Sequence, residues 1–100
     1  MSVSGKTEFS LGQILATPGA LDAIEEAGQL AVDFLNRHAQ GDWGEVGEED
    51  AQLNQQALAD GSRLLSVYRT SKGVKLWIIT EATDDTDQRA ATTILLPEEY

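Results

Sequence analysis

The apolar periodicity of this chain changes once, at Gly61, and that change limits the folds open to it. Before Gly61 the apolar residues recur at helical spacing: Ala31, Phe34, Leu35 and His38 fall at i, i+3, i+4 and i+7. After it, residues 63–70 and 74–81 read as strands, joined by Ser71-Lys72-Gly73, a short connection with a glycine available for positive φ. Both faces of the second run are largely apolar, which suits a central strand. Residues 91–96 form a third run, stopped by Pro97. The expected fold is α+β, with about three N-terminal helices packed on a C-terminal three-stranded antiparallel β-meander. Its last strand, if its outer edge is free, offers a route to a homodimer through the sheet edge.

The helical half is punctuated by capping residues. Residues 1–9 are polar and aperiodic and read as a flexible tail before a single domain over 10–100. Ser10-Leu11-Gly12-Gln13 has capping-box spacing and predicts a short helix through Leu11, Ile14 and Leu15. Thr17-Pro18 predicts a fresh helix start, with threonine as N-cap and proline at the first position, where a missing N–H costs nothing. Leu21, Ile24 and Ala27 supply its apolar stripe, and Gly28 ends it. A second helix over 30–39 closes at Gly41, and residues 41–47 form a turn-rich loop. A third helix over 48–60 opens on acids that complement its dipole, carries a narrow stripe of Leu53, Ala57 and Leu58, and stops at Gly61.

Charge is divided as sharply as period. Residues 22–60 hold ten acids against Arg37 alone, residues 61–80 hold Arg63, Arg69, Lys72 and Lys75 with no acid, and residues 81–100 hold six acids against Arg89. The whole chain carries a net charge of −10. There is no cysteine, which removes disulfides, thiolate metal sites and cysteine nucleophiles. The N-terminus lacks the apolar run of a signal peptide, and no stretch is long and apolar enough for a membrane helix, so a cytoplasmic location is expected.

Few residues point to chemistry. His38 could serve as a base or ligand, but within helical reach only Asp42 could join it at a metal; a packing histidine is the default reading. Asp84-Asp85-Thr86-Asp87 lacks the central glycine and distant glutamate of a calcium loop. No nucleophile-elbow, zinc-protease or phosphate-loop pattern is present, so no catalytic residue, metal or cofactor is expected. Arg63, Arg69, Lys72 and Lys75 lie near Tyr68 and Trp77, the kind of set that binds single-stranded RNA, although internal neutralisation by the third helix is the simpler use for those bases. A net charge of −10 falls short of duplex mimicry unless the ten acids of residues 22–60 share one face. A globule of this length is roughly 30–35 Å wide, and DNA over that length carries on the order of 18–20 charges.

Five strings together carry a resemblance: 16–22 (ATPGALD), 41–44 (GDWG), 63–69 (RLLSVYR), 75–82 (KLWIITEA) and 91–100 (ATTILLPEEY). From Leu11 onward the chain resembles a group of small bacterial proteins carried on plasmids, integrative conjugative elements and phage-like islands. It departs from them at Gly28-Gln29-Leu30-Ala31, where they read Gly-Gln-Ser-Pro. Some of the group carry a restriction-methylase label, which these residues do not support, since neither a glycine-rich cofactor loop nor an Asn-Pro-Pro-Tyr-type motif is present. The resemblance implies cargo of mobile DNA. Composition and resemblance together give a non-enzymatic acidic accessory protein acting by protein–protein contact on a basic partner or nucleic-acid-handling complex, in its sharper form a counter-defence inhibitor of the anti-restriction or anti-CRISPR type. The expected contact surface is Asp42, Trp43, Glu45, Glu48, Glu49 and Asp50, with Trp43 as anchor if exposed. The alternative is a toxin-like RNA-binding or RNA-cleaving domain using Arg63, Tyr68, Arg69, Lys72 and Lys75.

Overall fold

In the computed structural model, which describes residues 9–100, the elements run β1 (Gln13–Ala16), α1 (Pro18–Glu26), α2 (Ala31–Ala39), α3 (Glu48–Asp60), β2 (Leu64–Arg69), β3 (Lys75–Thr80), β4 (Ala91–Leu95) and a terminal 3-10 turn (Pro97–Glu99). The expected tail lies outside the described residues except for Phe9, which packs against the cluster around Trp43. The Thr17 hydroxyl accepts from the Ala20 N–H at 3.2 Å and caps α1 as its sequence requires. Glu48–Asp60 is helical with its acids in the first turn.

The sheet corrects the three-stranded antiparallel meander. It has four strands in the order β1-β4-β3-β2, and β1 pairs parallel with β4, from Gln13 beside Ala91 to Ala16 beside Ile94. The segment expected as a short capped helix is this strand. Gly12 takes φ +65, and a Cβ there would overlap the Arg89 carbonyl oxygen, so the chain passes against residues 89–90 in a way only glycine permits. The Gln13 N–H then donates to Ala90 O and the Thr17 N–H to Ile94 O, both at 3.0 Å. A four-residue segment gains more from this ladder than from one isolated helical turn, whose nucleation is costly. β4 is therefore interior, and among the described residues the outermost strand beyond it is β1.

The helices cover one sheet face. Ala20 and Ile24 of α1 and Phe34 and Leu35 of α2 pack with Tyr68, Leu76, Ile78 and Ile94. The Trp43–Ala57–Leu64 cluster continues this layer toward β2. The stripes differ in part from those expected: Ile24 and Ala57 are buried as expected, but Leu21 and Leu53 are half exposed, while Ala20, Ala23 and Asn54 are buried instead. By register the other face carries Leu65 and Val67 of β2, Trp77 and Ile79 of β3, Thr93 and Leu95 of β4, and Leu15 of β1. Over it the C-terminal turn brings the Tyr100 ring edge-on to Trp77, with centroids 5.6 Å apart.

Candidate functional site

His38 lies under the helical layer with no exposed surface and ends a chain of hydroxyls. Its Nε2 is 2.8 Å from Thr80 Oγ1, which is 2.7 Å from Thr92 Oγ1, and Thr92 donates to the Leu11 carbonyl at 2.7 Å. A carbonyl can only accept, so the protons run one way: Thr80 donates to Thr92, and His38 Nε2–H donates to Thr80. Nδ1 is then the bare nitrogen and accepts from Ser66 Oγ at 2.5 Å. Burial, reinforced by the Arg89 charge, pushes the imidazole down to about 4, so it is neutral at pH 7. A serine donating to histidine is the pairing that activates a nucleophile, but Ser66 and His38 are both fully buried. A polar network this complete fixes how α2 seats on the sheet.

The loop before α3 is a structural strap. Trp43 is buried against Phe9 and His38, which makes it a core residue, and its Nε1–H has no partner among the described residues. Its carbonyl accepts from the Val67 N–H at 3.0 Å, and the Glu45 N–H donates to Val67 O at 2.6 Å, closing part of the β2 edge. Asp42 pairs with Arg37 at 2.8 Å, and the Arg37 hydrogen bond holds its carboxyl below the usual range. Glu45 pairs with Arg69 at 2.9 Å. Glu48, Glu49 and Asp50 are exposed on the first turn of α3. The expected acidic surface is thus split, with two members paired, one buried and three in water.

The basic hairpin is divided too. Tyr68 is buried, its hydroxyl donates to the Asp42 carbonyl, and burial pushes that hydroxyl up to about 12. The base neutralised in this hairpin is Arg69, by a loop acid rather than by α3. Arg63 instead donates to the Tyr100 hydroxyl at 3.0 Å, while Lys72 and Lys75 are exposed. Asp84 Oδ1 accepts from the Thr86 N–H, the Thr86 hydroxyl and the Gln88 N–H, at 2.8, 2.6 and 3.1 Å, and so folds its own loop. Among the described residues no group of three or more His, Asp or Glu side chains is placed to hold a metal, and no helix is long and apolar enough to cross a membrane.

Among the described residues, two depressions are candidate sites. One, of about 260 Å³, lies beside Arg89 and is lined by Phe9, Asp60, Thr83 and Asp87 among others. Arg89 is mostly committed there, donating to the Ser62, Glu81 and Ala57 carbonyls at 2.7, 2.9 and 3.1 Å. The other, of about 470 Å³, is a groove between α1 and α2 whose lining includes Leu21, Ile24, Leu30 and Ala31, with Asp22 and Glu25 at its rim. Leu21 is 49% and Leu30 63% exposed, and Val32 is 43% exposed beside them. The surrounding acids Asp22, Glu25, Glu26 and Asp33 form no ion pair among the described residues. Sequence reasoning assigned Leu21 to the core stripe and passed over Leu30; the available signal was Leu30 standing where a polar N-cap belongs.

No family model, curated protein or solved structure matches this chain.

Proposed function

We propose that the protein is a non-enzymatic accessory protein that binds a basic, partly apolar segment of another protein in the α1–α2 groove. The observation that carries this reading is the combination of exposed Leu21 and Leu30 with rim acids that form no ion pair among the described residues. Such a groove takes an apolar anchor from a partner, while the acids select for lysine and arginine around it and steer its approach. With the resemblance to mobile-element cargo, the partner class becomes a basic nucleic-acid-handling protein, and the sharper function is counter-defence by occupying it.

The test is capture from a bacterial host with the tagged full-length chain. A basic partner should be retained and should wash off steeply as salt rises. Leu21→Ser with Leu30→Ser should abolish capture, and Asp22→Lys with Glu25→Lys should abolish or redirect it. Capture unaffected by both pairs of changes would exclude the groove.

A second reading rests on the open sheet face, where Arg63, Trp77 and Tyr100 adjoin with Arg69 and Lys75 nearby. Bases and aromatics on a sheet suit single-stranded RNA, but buried Tyr68 takes no part and the net charge opposes a polyanion. Growth inhibition on expression alone, abolished by Arg69→Ala, is the result that would favour it.

A further inference from the structure

The two edges of the sheet are treated very differently. At the β2 edge, Asn54 holds the N–H and C=O of Leu65, and the strap at Trp43 and Glu45 holds those of Val67. Among the described residues the β1 edge has no such cover. Because the Gln13 and Thr17 N–H groups face β4, the alternation of a strand turns the N–H and C=O of Ile14 and Ala16 outward. No partner for those four groups occurs among the described residues. Ile14 and Leu15 are 45% and 43% exposed, one on each face. β1 itself carries none of the usual edge protection: no charge, no proline and no bulge.

We infer that β1 is the pairing edge of a homodimer, in which two copies join Gln13–Ala16 antiparallel across a two-fold axis at Leu15 and make one eight-stranded sheet. The register follows from the outward groups. With Leu15 opposite Leu15 of the second copy, Ile14 stands opposite Ala16 twice, and each such pair exchanges both of its N–H···O bonds. The Leu15 side chains meet on the open face at a non-hydrogen-bonded position, where cross-strand side chains approach most closely. Pro18 has no N–H to donate, which confines the ladder to this short segment.

Charge argues for a second copy rather than a basic partner here. Residues 9–21 are thirteen in a row without a charged side chain, the longest such run in a chain of net charge −10. Two like-charged molecules approach most easily where neither presents acids. Glu99, at the end of β1, is occupied by the Thr17 hydroxyl and the Leu96 N–H. The interface is self-complementary, as a two-fold contact must be. It is separate from the α1–α2 groove, since neither Ile14 nor Ala16 lines it.

Sedimentation equilibrium of the full-length chain should give twice the 10.8 kDa of one copy, with a dissociation visible on dilution. Amide hydrogen exchange should show Ile14 and Ala16 protected in the dimer and losing that protection as it dissociates. Ile14→Pro removes an outward N–H and no internal hydrogen bond, and Leu15→Lys puts two cations at the axis. Each should give a folded monomer by circular dichroism. A wild-type chain that stays monomeric with fast-exchanging edge amides would overturn the proposal and leave β1 to a strand of some other protein. A dimer that survives both changes would overturn it in favour of contact through the open sheet face.

Discussion

The Asn54 side-chain amide and the Leu65 peptide bond to each other twice, Nδ2–H to the Leu65 carbonyl at 2.7 Å and the Leu65 N–H to Oδ1 at 3.1 Å. A helix residue thereby stands in for one peptide of a fifth strand. That single pairing docks α3 against β2 and blunts an edge otherwise open to other chains.

Asn54→Leu keeps the volume but leaves a donor and an acceptor of Leu65 without partners. The expected loss is about 2–3 kcal/mol, read as a lower urea midpoint with unchanged slope, together with a greater tendency to aggregate. Asn54→Asp keeps the acceptor but buries a carboxylate with one oxygen facing the Leu65 carbonyl, so near neutral pH it should cost at least as much as Asn54→Leu.

Much of the helical half was legible because its signals are local. Thr17 caps α1 through its own hydroxyl, and α3 runs from its acidic first turn to Gly61, which ends it in the left-handed conformation. The β2–β3 hairpin was legible for the same reason. β1 was not, since Gln13 and Ala91 are distant in sequence and neither carries a mark of the other. Its Ser-x-x-Gln prelude also imitates a helix start. The site was obscured differently. Asn54 was overlooked because a polar residue on a helix reads as solvent-facing, and the apolar Leu21 reads as core. For Asn54 and Leu21 the backbone or groove that decides exposure belongs to another element, whereas Leu30 stands at the N-cap of its own helix.

Gly44 takes φ +72, and a Cβ there would overlap the Val67 carbonyl oxygen and press on the Tyr68 ring. Gly44→Ala combines left-handed strain with a clash against backbone, so at least about 2 kcal/mol of stability should go. Gly47 at the α3 N-cap has open space around it. Gly47→Ser should gain a few tenths, about 0.3 kcal/mol. Parallel thermal melts of the two variants should move in opposite directions.

The Arg69–Glu45 and Arg37–Asp42 pairs are both about half exposed to solvent, at 49% and 50% in each pair. Such pairs contribute roughly 0–1 kcal/mol. Glu45→Gln should therefore shift the urea midpoint little, and the residual effect should fade in high salt. A large loss would mean that the strap, rather than its charge, had been disturbed.

His38 links stability to pH. The unfolded side chain titrates near its ordinary 6.5 and the folded one near 4. Between those values the unfolded state binds more protons, so stability rises with pH, and acidification removes roughly 3 kcal/mol across that window. The depressed carboxyls Asp42, Asp60, Asp84 and Glu99 act at lower pH, below their ordinary values of 3.8 to 4.5. Urea unfolding followed from about pH 7.5 to about pH 4.5 should thus show a decline before those carboxyls protonate. A flat profile there would mean that His38 is accessible to water.

Arg89 sets part of that response. Its guanidinium holds the carbonyls of Ala57, Ser62 and Glu81, tying the end of α3 to the β3 side of the sheet, and its charge is the second cause of the low His38 value. Arg89→Met removes both effects. Losing charge-assisted hydrogen bonds to one buried and two partly buried carbonyls should cost about 2–4 kcal/mol near neutral pH. The imidazole should at the same time become easier to protonate, although burial, the larger cause, still holds it below 6.5. An NMR titration of the His38 ring therefore separates the two roles. An upward shift in the variant reports the lost charge, while an unchanged midpoint with lowered stability would reduce Arg89 to a helix-end clamp.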